Sequence, residues 1–370
     1  MITWREGVVT ELGRAWTGSI EVQVSVGDET LRALAYPDLV GHPRPGDRVL
    51  LNTTALARGL GTGGYAFVVA LPDRLPPDPP PGPGHIIKSR YTPLQTMVLA
   101  ADEQESPFHS QLADAADLNG LPVVVADLHS ALPAVLAGAR WAAGQAGAAR
   151  PRVAYLMTDD AALPVWFSRA VAGLREADWL IGTISVGQAF GGDHEAVNVH
   201  TGLLVARHVL GADLVVVAQG PGNVGTGTAW GFSGVAVGEA LNAAAALGGA
   251  PVAVLRVSGA DRRTRHYGIS HHSLTALTKV ALRPVHIPVP VLPAALAEVA
   301  DRIQEQSGAL TAAGHRLYPV GTDGLSEALA QSPVPLSTMG RGLDQDPASF
   351  LTAAVAGVLA HTLSGGDQGR

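Results

Sequence analysis

The chain has 370 residues, of which 47% are hydrophobic and 15% are charged, and it contains no cysteine. This balance excludes a disordered chain, and the lack of thiols excludes disulfide frameworks, thiolate metal sites and cysteine nucleophiles. The formal net charge of −7 opposes binding to nucleic acid phosphates, so we expect no nucleic acid partner.

The first residues, Met1 to Glu6, lack a basic segment followed by an apolar run of signal-peptide length. Glycine, proline or polar residues interrupt every apolar window before it reaches about 18 residues, including the richest one, 236–257. We therefore expect a cytoplasmic protein that has no membrane span and no membrane partner.

Residues 1–71 show short stretches of alternating apolar residues separated by glycine, proline and aspartate turns. This pattern predicts a small antiparallel barrel-like domain. The predicted strands are Gly7 to Val9, Ser19 to Val26, Thr30 to Tyr36, Arg48 to Asn52 and Tyr65 to Ala70.

Residues 72–118 are predicted to connect the small domain to the rest of the chain. The segment from Pro72 to His85 carries seven prolines, which lack a backbone donor and fix φ. We expect a semi-rigid spacer that contains neither a helix nor a central strand.

Residues 119–370 are predicted to form an α/β domain in which helices flank a mainly parallel sheet. Strands that are apolar on both faces alternate with Ala- and Leu-rich segments of helical length, as in βαβ units. The predicted strands are Leu121 to Ala126, Arg152 to Met157, Trp179 to Ser185, Asp213 to Ala218, Pro251 to Val257 and, in addition, Arg316 to Val320. The predicted helices are 131–146, 162–176, 194–210, 235–247, Pro293 to Ala313 and Pro347 to Leu363, and a polar tail, Ser364 to Arg370, follows.

Polar or glycine residues follow each of the first five strands in this domain. In an open α/β sheet, ligands bind beyond the carboxyl ends of the strands, so these residues predict a ligand site at one rim. Asp127 and His129 follow the first strand, and Asp159 follows the second. They are candidate catalytic residues, although turns are commonly polar and Asp159 could be only a helix cap.

A glycine-rich loop, 220–228, follows the fourth strand and is the sharpest single feature of the sequence. Closely spaced glycines let backbone N–H groups approach an anion. The loop formally matches the dinucleotide-binding fingerprint, but the next residues do not open a helix and no acidic residue ends the following strand. An anion cradle, a dinucleotide site and a purely structural turn therefore stay open. The candidate binding residues are Gly220, Gly222, Asn223, Gly225, Thr226 and Gly227.

The segment after the fifth strand, 261–272, contains three arginines and three histidines. Arginine forks bind carboxylate or phosphate groups, which makes Arg262 and Arg265 candidate ligand-binding residues. His271 and His272 follow a capping serine and so fall in the first turn of a helix, where the dipole disfavours imidazolium. Neutral histidines there could act as bases or as metal ligands, and a solvated loop is the alternative.

The sequence leaves a metal site and a cofactor undetermined. It contains no compact His-Glu-x-x-His motif, and His194 and His200, six residues apart, would lie on different sides of a helix. A Ser-His-Asp triad is disfavoured because Gly-x-Ser-x-Gly is absent.

Several long strings resemble an uncharacterised bacterial family called Domain of Unknown Function 3866 (DUF3866). They are Met157 to Asp159, Gln188 to Asn198, Gln219 to Thr228, Arg265 to His272 and Lys88 to Pro93. The resemblance extends over nearly the whole chain and implies a bacterial protein, but it brings no catalytic assignment.

The rim residues favour an enzyme that acts on a small anionic substrate, with the glycine loop as the cradle and the arginines neutralising charge. The alternatives are a non-catalytic ligand sensor or scaffold and a dinucleotide-binding protein. The apolar segment from Ala348 to Leu363 would also suit a homodimer contact, although docking on the chain's own sheet would satisfy it as well.

Overall fold

The computed structural model of the protein describes residues 1–365, so residues 366–370 of the expected polar tail lie outside the described part. The chain divides into two compact units. Unit 1 comprises residues 1–99 and 166–172, and unit 2 comprises residues 100–165 and the chain from residue 173 onward.

Unit 1 contains a closed barrel of five strands in the order β1-β2-β3-β5-β4. Every neighbouring pair is antiparallel except β3 and β5, which are parallel. Alternate side chains such as Val22 and Val24 point into the barrel core, as the sequence pattern predicted. The strands are β1 Trp4–Trp16, β2 Ser19–Val26, β3 Glu29–Ala35, β4 Arg48–Asn52 and β5 Ala66–Ala70, with a short helix α1 at Pro37–Val40.

The proline-rich residues 72–85 contain no helix or strand, in agreement with the fixed φ and missing donors of proline. A small antiparallel hairpin follows, formed by β6 Ile86–Lys88 and β7 Thr96–Val98. Unit 1 therefore extends past residue 71, through this hairpin.

Unit 2 is built on an eight-stranded sheet in which every paired neighbour is parallel, which confirms the predicted α/β class. The strand order is β11-β10-β9-β12-β8-β13-β16-β17. The strands of this sheet are β8 Pro122–Ala126, β9 Val153–Thr158, β10 Gly182–Ser185, β11 His194–Glu195, β12 Leu214–Gln219, β13 Ala250–Ala253, β16 His286–Val291 and β17 Arg316–Gly321.

Helices cover both faces of this sheet. The α-helices after residue 100 are α2 His109–Leu112, α3 Leu132–Gln145, α4 Arg169–Glu176, α5 Val199–Leu204, α6 Ala236–Ala246, α7 His271–Thr275, α8 Ala297–Ala312, α9 Leu325–Ala330 and α10 Pro347–Gly365. Residues of α5, α6, α7 and α8 share one apolar core with the sheet. Helices α3 and α10 pack against each other and against β8 and β12, on the opposite face.

The boundaries of several predicted elements need correction, and one strand was not predicted. The predicted strand Pro251 to Val257 ends at Ala253, because β14 Val257–Ser258 turns away and pairs antiparallel with β15 Gly268–Ile269. The predicted helix 194–210 begins only at Val199, where Asn198 caps it by accepting the Thr201 N–H at 3.0 Å. Strand β16 was missed because its prolines are untypical of a strand that pairs on both sides.

A second small hairpin, β18 Ser337–Thr338 with β19 Arg341–Gly342, precedes α10. Helix α10 is long and apolar enough to cross a membrane, but 61% of its apolar window is buried inside the protein, as in a core helix. Most of this window is therefore covered within the chain, and docking on the chain's own sheet accounts for that part of the apolar surface. The homodimer and the cytoplasmic location stay predictions.

Candidate functional site

The site lies at the carboxyl ends of β8 and β12, which are neighbours in the sheet. The helix after β8, α3, covers one face of the sheet, whereas the helix after β12, α6, covers the other face. Loops that leave neighbouring strands in opposite directions open a crevice between them, which is where α/β sheets bind ligands. Asp127 directly follows β8, and Gly220 directly follows β12.

Asp127 is the hub of this crevice and is only 4% exposed. Its Oδ2 accepts a hydrogen bond from Arg256 Nη1 at 2.9 Å and lies 3.2 Å from His272 Nδ1. Its Oδ1 accepts a hydrogen bond from Asn223 Nδ2 at 2.6 Å. Burial opposes the charge of Asp127, but His272 and Arg256 outweigh burial and hold the pKa of this carboxyl below its ordinary value. Asp127 is therefore an ionised carboxylate that joins three chain segments.

The glycine-rich loop bends back on itself. The Thr226 N–H donates to the carbonyl oxygen of Gly231 at 2.7 Å, and the Gly231 N–H donates to Thr228 Oγ1 at 3.0 Å. Gly222 and Gly227 have φ values of 108° and 81°, which L side chains rarely adopt. Helix α6 begins only at Ala236, so the loop does not lead directly into a helix as a dinucleotide fingerprint requires.

The loop and the histidine-rich segment meet at one place. A Cβ atom on Gly225 would lie 3.9 Å from His272 Cε1, and one on Gly227 would lie 4.0 Å from Arg265 Nη2. The ring of Phe232, at the end of the loop, stacks on the His272 ring with centroids 3.9 Å apart. The structure therefore brings the predicted loop and the predicted histidines into one cluster around Asp127.

Three histidines lie together beside Asp127. The ring centroid of His271 lies 4.5 Å from that of His272 and 5.0 Å from that of His266. Burial, aided by the positive charge of Arg256, lowers the pKa of His266 to about 3. Burial and the neighbouring His272 also lower the pKa of His271. The imidazoles of His266 and His271 are therefore neutral at pH 7.

The arginines of the segment have different environments. Arg263 forms a bidentate pair with Asp261, donating from Nε at 2.9 Å and from Nη2 at 2.7 Å. Arg262 and Arg265 are exposed, and Arg265 lies beside the glycine loop. Arg265 is therefore placed to contact a ligand bound at the loop, whereas the Arg263 guanidinium is paired with the Asp261 carboxylate.

Asp159 and His129 make contacts away from the Asp127 hub. Asp159 Oδ2 accepts the Gln188 N–H at 2.7 Å, and its carboxylate packs against Gly187, where a Cβ atom would clash with it. His129 Nδ1 lies 3.0 Å from the Tyr155 hydroxyl. The catalytic roles of Asp159 and His129 stay predictions, and the Asp159 contacts support the turn at Gly187.

Sequence reasoning missed Arg256 and Phe232 as site residues. Arg256 follows an apolar stretch, and its position could have been a signal, because an isolated charge at the end of a buried strand needs a partner. Asp160 belongs to the same rim. It lines a cavity with Asp127 and Ser233, and burial raises the pKa of its carboxyl although Thr158 donates a hydrogen bond to it at 2.7 Å.

Lowering the pH is expected to destabilise the protein through His129, because burial lowers the pKa of His129 from 6.5 to about 4. The unfolded chain binds this proton at a higher pH than the folded chain, so the contribution of neutral His129 to stability is complete above pH 6.5 and is lost as the pH falls through 4.

Between about pH 7 and about pH 4.5 the wild type should lose about 2 kcal/mol more unfolding free energy than the His129→Gln variant loses. Urea denaturation of both proteins at the two pH values measures this difference. The exposed His200, replaced in the same way, is the control. Equal losses in wild type and His129→Gln would contradict the prediction.

No curated protein matches the chain at a significant level. The sequence model of one family, described as "Protein of unknown function (DUF3866)", matches residues 32–357. The match covers most of the chain and includes Asp127, the glycine loop and the three histidines. The chain therefore belongs to the DUF3866 family.

Proposed function

We propose that this protein is an enzyme that acts on a small substrate carrying a phosphate or carboxylate group, bound at the rim beside Asp127. The observation that carries the proposal is the buried contact of Asp127 with His272 and Arg256, next to an exposed glycine loop. Burying charged groups and neutral imidazoles in a crevice costs folding free energy, and such groups are concentrated at functional sites.

The binding part of the site is proposed to consist of the glycine loop and Arg265. The Thr226 hydroxyl donates to the Gly231 carbonyl oxygen at 3.2 Å, whereas the Thr228 hydroxyl, 3.0 Å from Thr226 Oγ1 on the exposed side of the loop, can turn to donate to an anion. Arg265 contributes a guanidinium within reach of Gly227. Charge-assisted hydrogen bonds from an arginine fork are about twice as strong as neutral ones, so loop and arginine together favour an anionic group.

The chemical part is proposed to be acid–base catalysis by the histidines. His271 is neutral, and only partly buried, so it can take a proton from a group bound beside the loop. Asp127 and Asp160 line one cavity and have pKa values displaced in opposite directions, which is typical of carboxyl groups with separate roles in catalysis. The ionised Asp127 is a positioning residue for His272.

A non-catalytic ligand sensor would need the anion pocket but would not need a carboxylate within hydrogen-bonding reach of an imidazole. The 3.2 Å distance between Asp127 Oδ2 and His272 Nδ1 therefore favours an enzyme over a sensor. Release of inorganic phosphate from a panel of phosphomonoesters and acyl phosphates, measured for wild type and His271→Gln, tests catalysis. A wild-type protein that binds phosphate would favour the sensor if it turned over no phosphomonoester, no acyl phosphate and, in a second panel, no carboxylate substrate.

Replacing Gly225 with valine is expected to weaken the binding of inorganic phosphate at least tenfold and to leave the fold intact. The nearest atoms to a new Cβ, Phe232 Cβ at 3.5 Å, the Gly231 carbonyl oxygen at 3.8 Å and His272 Cε1 at 3.9 Å, are at ordinary van der Waals distances. The two additional methyl groups would fill the space between the loop and the histidines.

Calorimetric titration with phosphate and with citrate, together with thermal unfolding, measures both effects, since a bound ligand stabilises the folded state by mass action. Gly321→Val is the matched control, because Gly321 has open space around its Cβ position and lies at the end of β17. Unchanged affinity in Gly225→Val would reduce the loop to a structural turn.

A further inference from the structure

We propose that His266, His271 and His272 together bind one divalent transition-metal ion of the zinc type. One ring nitrogen of each residue lies within 4.8 Å of those of the other two. Imidazole suits zinc, copper, iron and nickel, and three histidines with a fourth position open are a known form of catalytic zinc site. The hydrogen bonds of each ring indicate which nitrogen is available.

His266 uses its Nδ1 atom for a contact with Ser270 Oγ at 2.7 Å. The same hydroxyl oxygen accepts the His272 backbone N–H at 3.2 Å, as the cap of α7. An oxygen with two lone pairs can accept from both, so His266 Nδ1–H can donate to Ser270. This tautomer leaves the Nε2 lone pair of His266 for a metal ion.

His272 uses its Nδ1 atom for the contacts with Asp127 Oδ2 at 3.2 Å and Arg256 Nη1 at 2.9 Å. These contacts select opposite tautomers, because a guanidinium can only donate and a carboxylate can only accept. Donation from Nδ1–H to Asp127 leaves Nε2 free and forms the carboxylate–histidine–metal arrangement common in metal sites. Metal binding is expected to fix this tautomer and move Arg256 Nη1 from Nδ1 onto Asp127 alone.

His271 contributes the nitrogen that has no other use. Its Nε2 atom is buried, and among residues 1–365 it has no hydrogen-bond partner. A buried ring nitrogen without a partner costs free energy, which a metal ion would recover. Bond lengths near 2.0 Å in a tetrahedral zinc site place ligand nitrogens about 3.4 Å apart, so the rings need to close by at most about 1.4 Å.

The charges around the cluster permit a cation. The Asp127 carboxylate offsets the charge of the Arg256 guanidinium. Arg265 is also nearby, but it is exposed, so water screens its charge. The open coordination position would be shared by solvent and the anionic group, and a bound metal ion lowers the pKa of its water. With its Nε2 atom bound to the metal, His271 could not also take a proton, so the metal-bound water would serve as the base in its place. This catalytic use depends on the proposed function, whereas metal binding itself does not.

Equilibrium dialysis of untagged protein against Zn²⁺, and titration with Co²⁺ followed by its visible absorption, test the site. The wild type is expected to bind one equivalent of each ion and to show the intense absorption of four-coordinate Co²⁺. His271→Gln removes a ligand that is only partly buried and should lower the affinity at least 100-fold without unfolding the protein. His200→Gln, at an exposed position of α5, should bind metal as the wild type does.

Two results would overturn the assignment. One is a wild type that binds neither ion with a dissociation constant below about 100 μM, and the other is unchanged affinity in His271→Gln. Phosphate titration of metal-free protein separates this proposal from the previous one. If phosphate binds and zinc does not, the metal site fails and the anion site stands, and the opposite pattern leaves the metal site alone.

Discussion

Replacing Asp127 with asparagine is expected to lower the free energy of unfolding by about 3 to 5 kcal/mol. The partner guanidinium, Arg256, has a side chain that is only 9% exposed, and its contact with Asp127 is 2.9 Å long. Asparagine can still accept a hydrogen bond, but it removes the negative charge. The arginine is then a buried cation whose attraction to its partner no longer offsets the cost of leaving water.

Urea denaturation of Asp127→Asn, Arg256→Gln and the double variant measures the coupling between the two charges. We expect the double variant to be more stable than the sum of the single losses predicts, by about 2 kcal/mol, because neither charge is then left without the other. Asp159→Asn is the matched control, since the oxygen of asparagine can still accept the Gln188 N–H. A coupling energy near zero would show that the pair does not hold the site together.

The strand and helix pattern of unit 2 could be predicted because its strands are buried on both faces and are therefore apolar throughout, as in β8 and β12. The boundary at Ala253 could not, whereas Asn198, a preferred cap residue, was a signal for the start of the helix at Val199. At Ala253 the chain leaves the sheet within an unbroken apolar run, and the pairing of Val257 with Ile269 depends on residues that follow much later. Apolar periodicity carries no information about such a turn.

The convergence of the rim loops could be predicted from the sequence, but only some of the contacts among their side chains could. The rule that loops converge at the carboxyl ends of parallel strands correctly brought Asn223 and His272 to Asp127. The rule does not distinguish Arg263, which is paired with Asp261, from Arg265, which lies beside the glycine loop. That difference is set by the turn geometry of the loop.

Replacing Gly138 with alanine is expected to lower the free energy of unfolding by about 3 kcal/mol. A Cβ atom on Gly138, in α3, would overlap the carbonyl oxygen of Ala354 in α10, and one on Gly357 would overlap the carbonyl oxygen of Val135. The two helices are thus in backbone contact at two reciprocal positions. Neither backbone can rotate away as a side chain could, so one methyl group must separate the helices and loosen the core around them.

Gly144 gives a matched control in the same helix, because it is exposed and its Cβ position is open. Gly144→Ala should raise the free energy of unfolding by about 0.5 to 1 kcal/mol, since alanine loses less backbone entropy on folding than glycine does. The same substitution at two positions of one helix should therefore change the free energy of unfolding with opposite signs. Urea denaturation of the two variants measures both changes. If both variants gained stability, α3 and α10 could not be in direct backbone contact, and the covering of this face of the sheet by α10 would have to be revised.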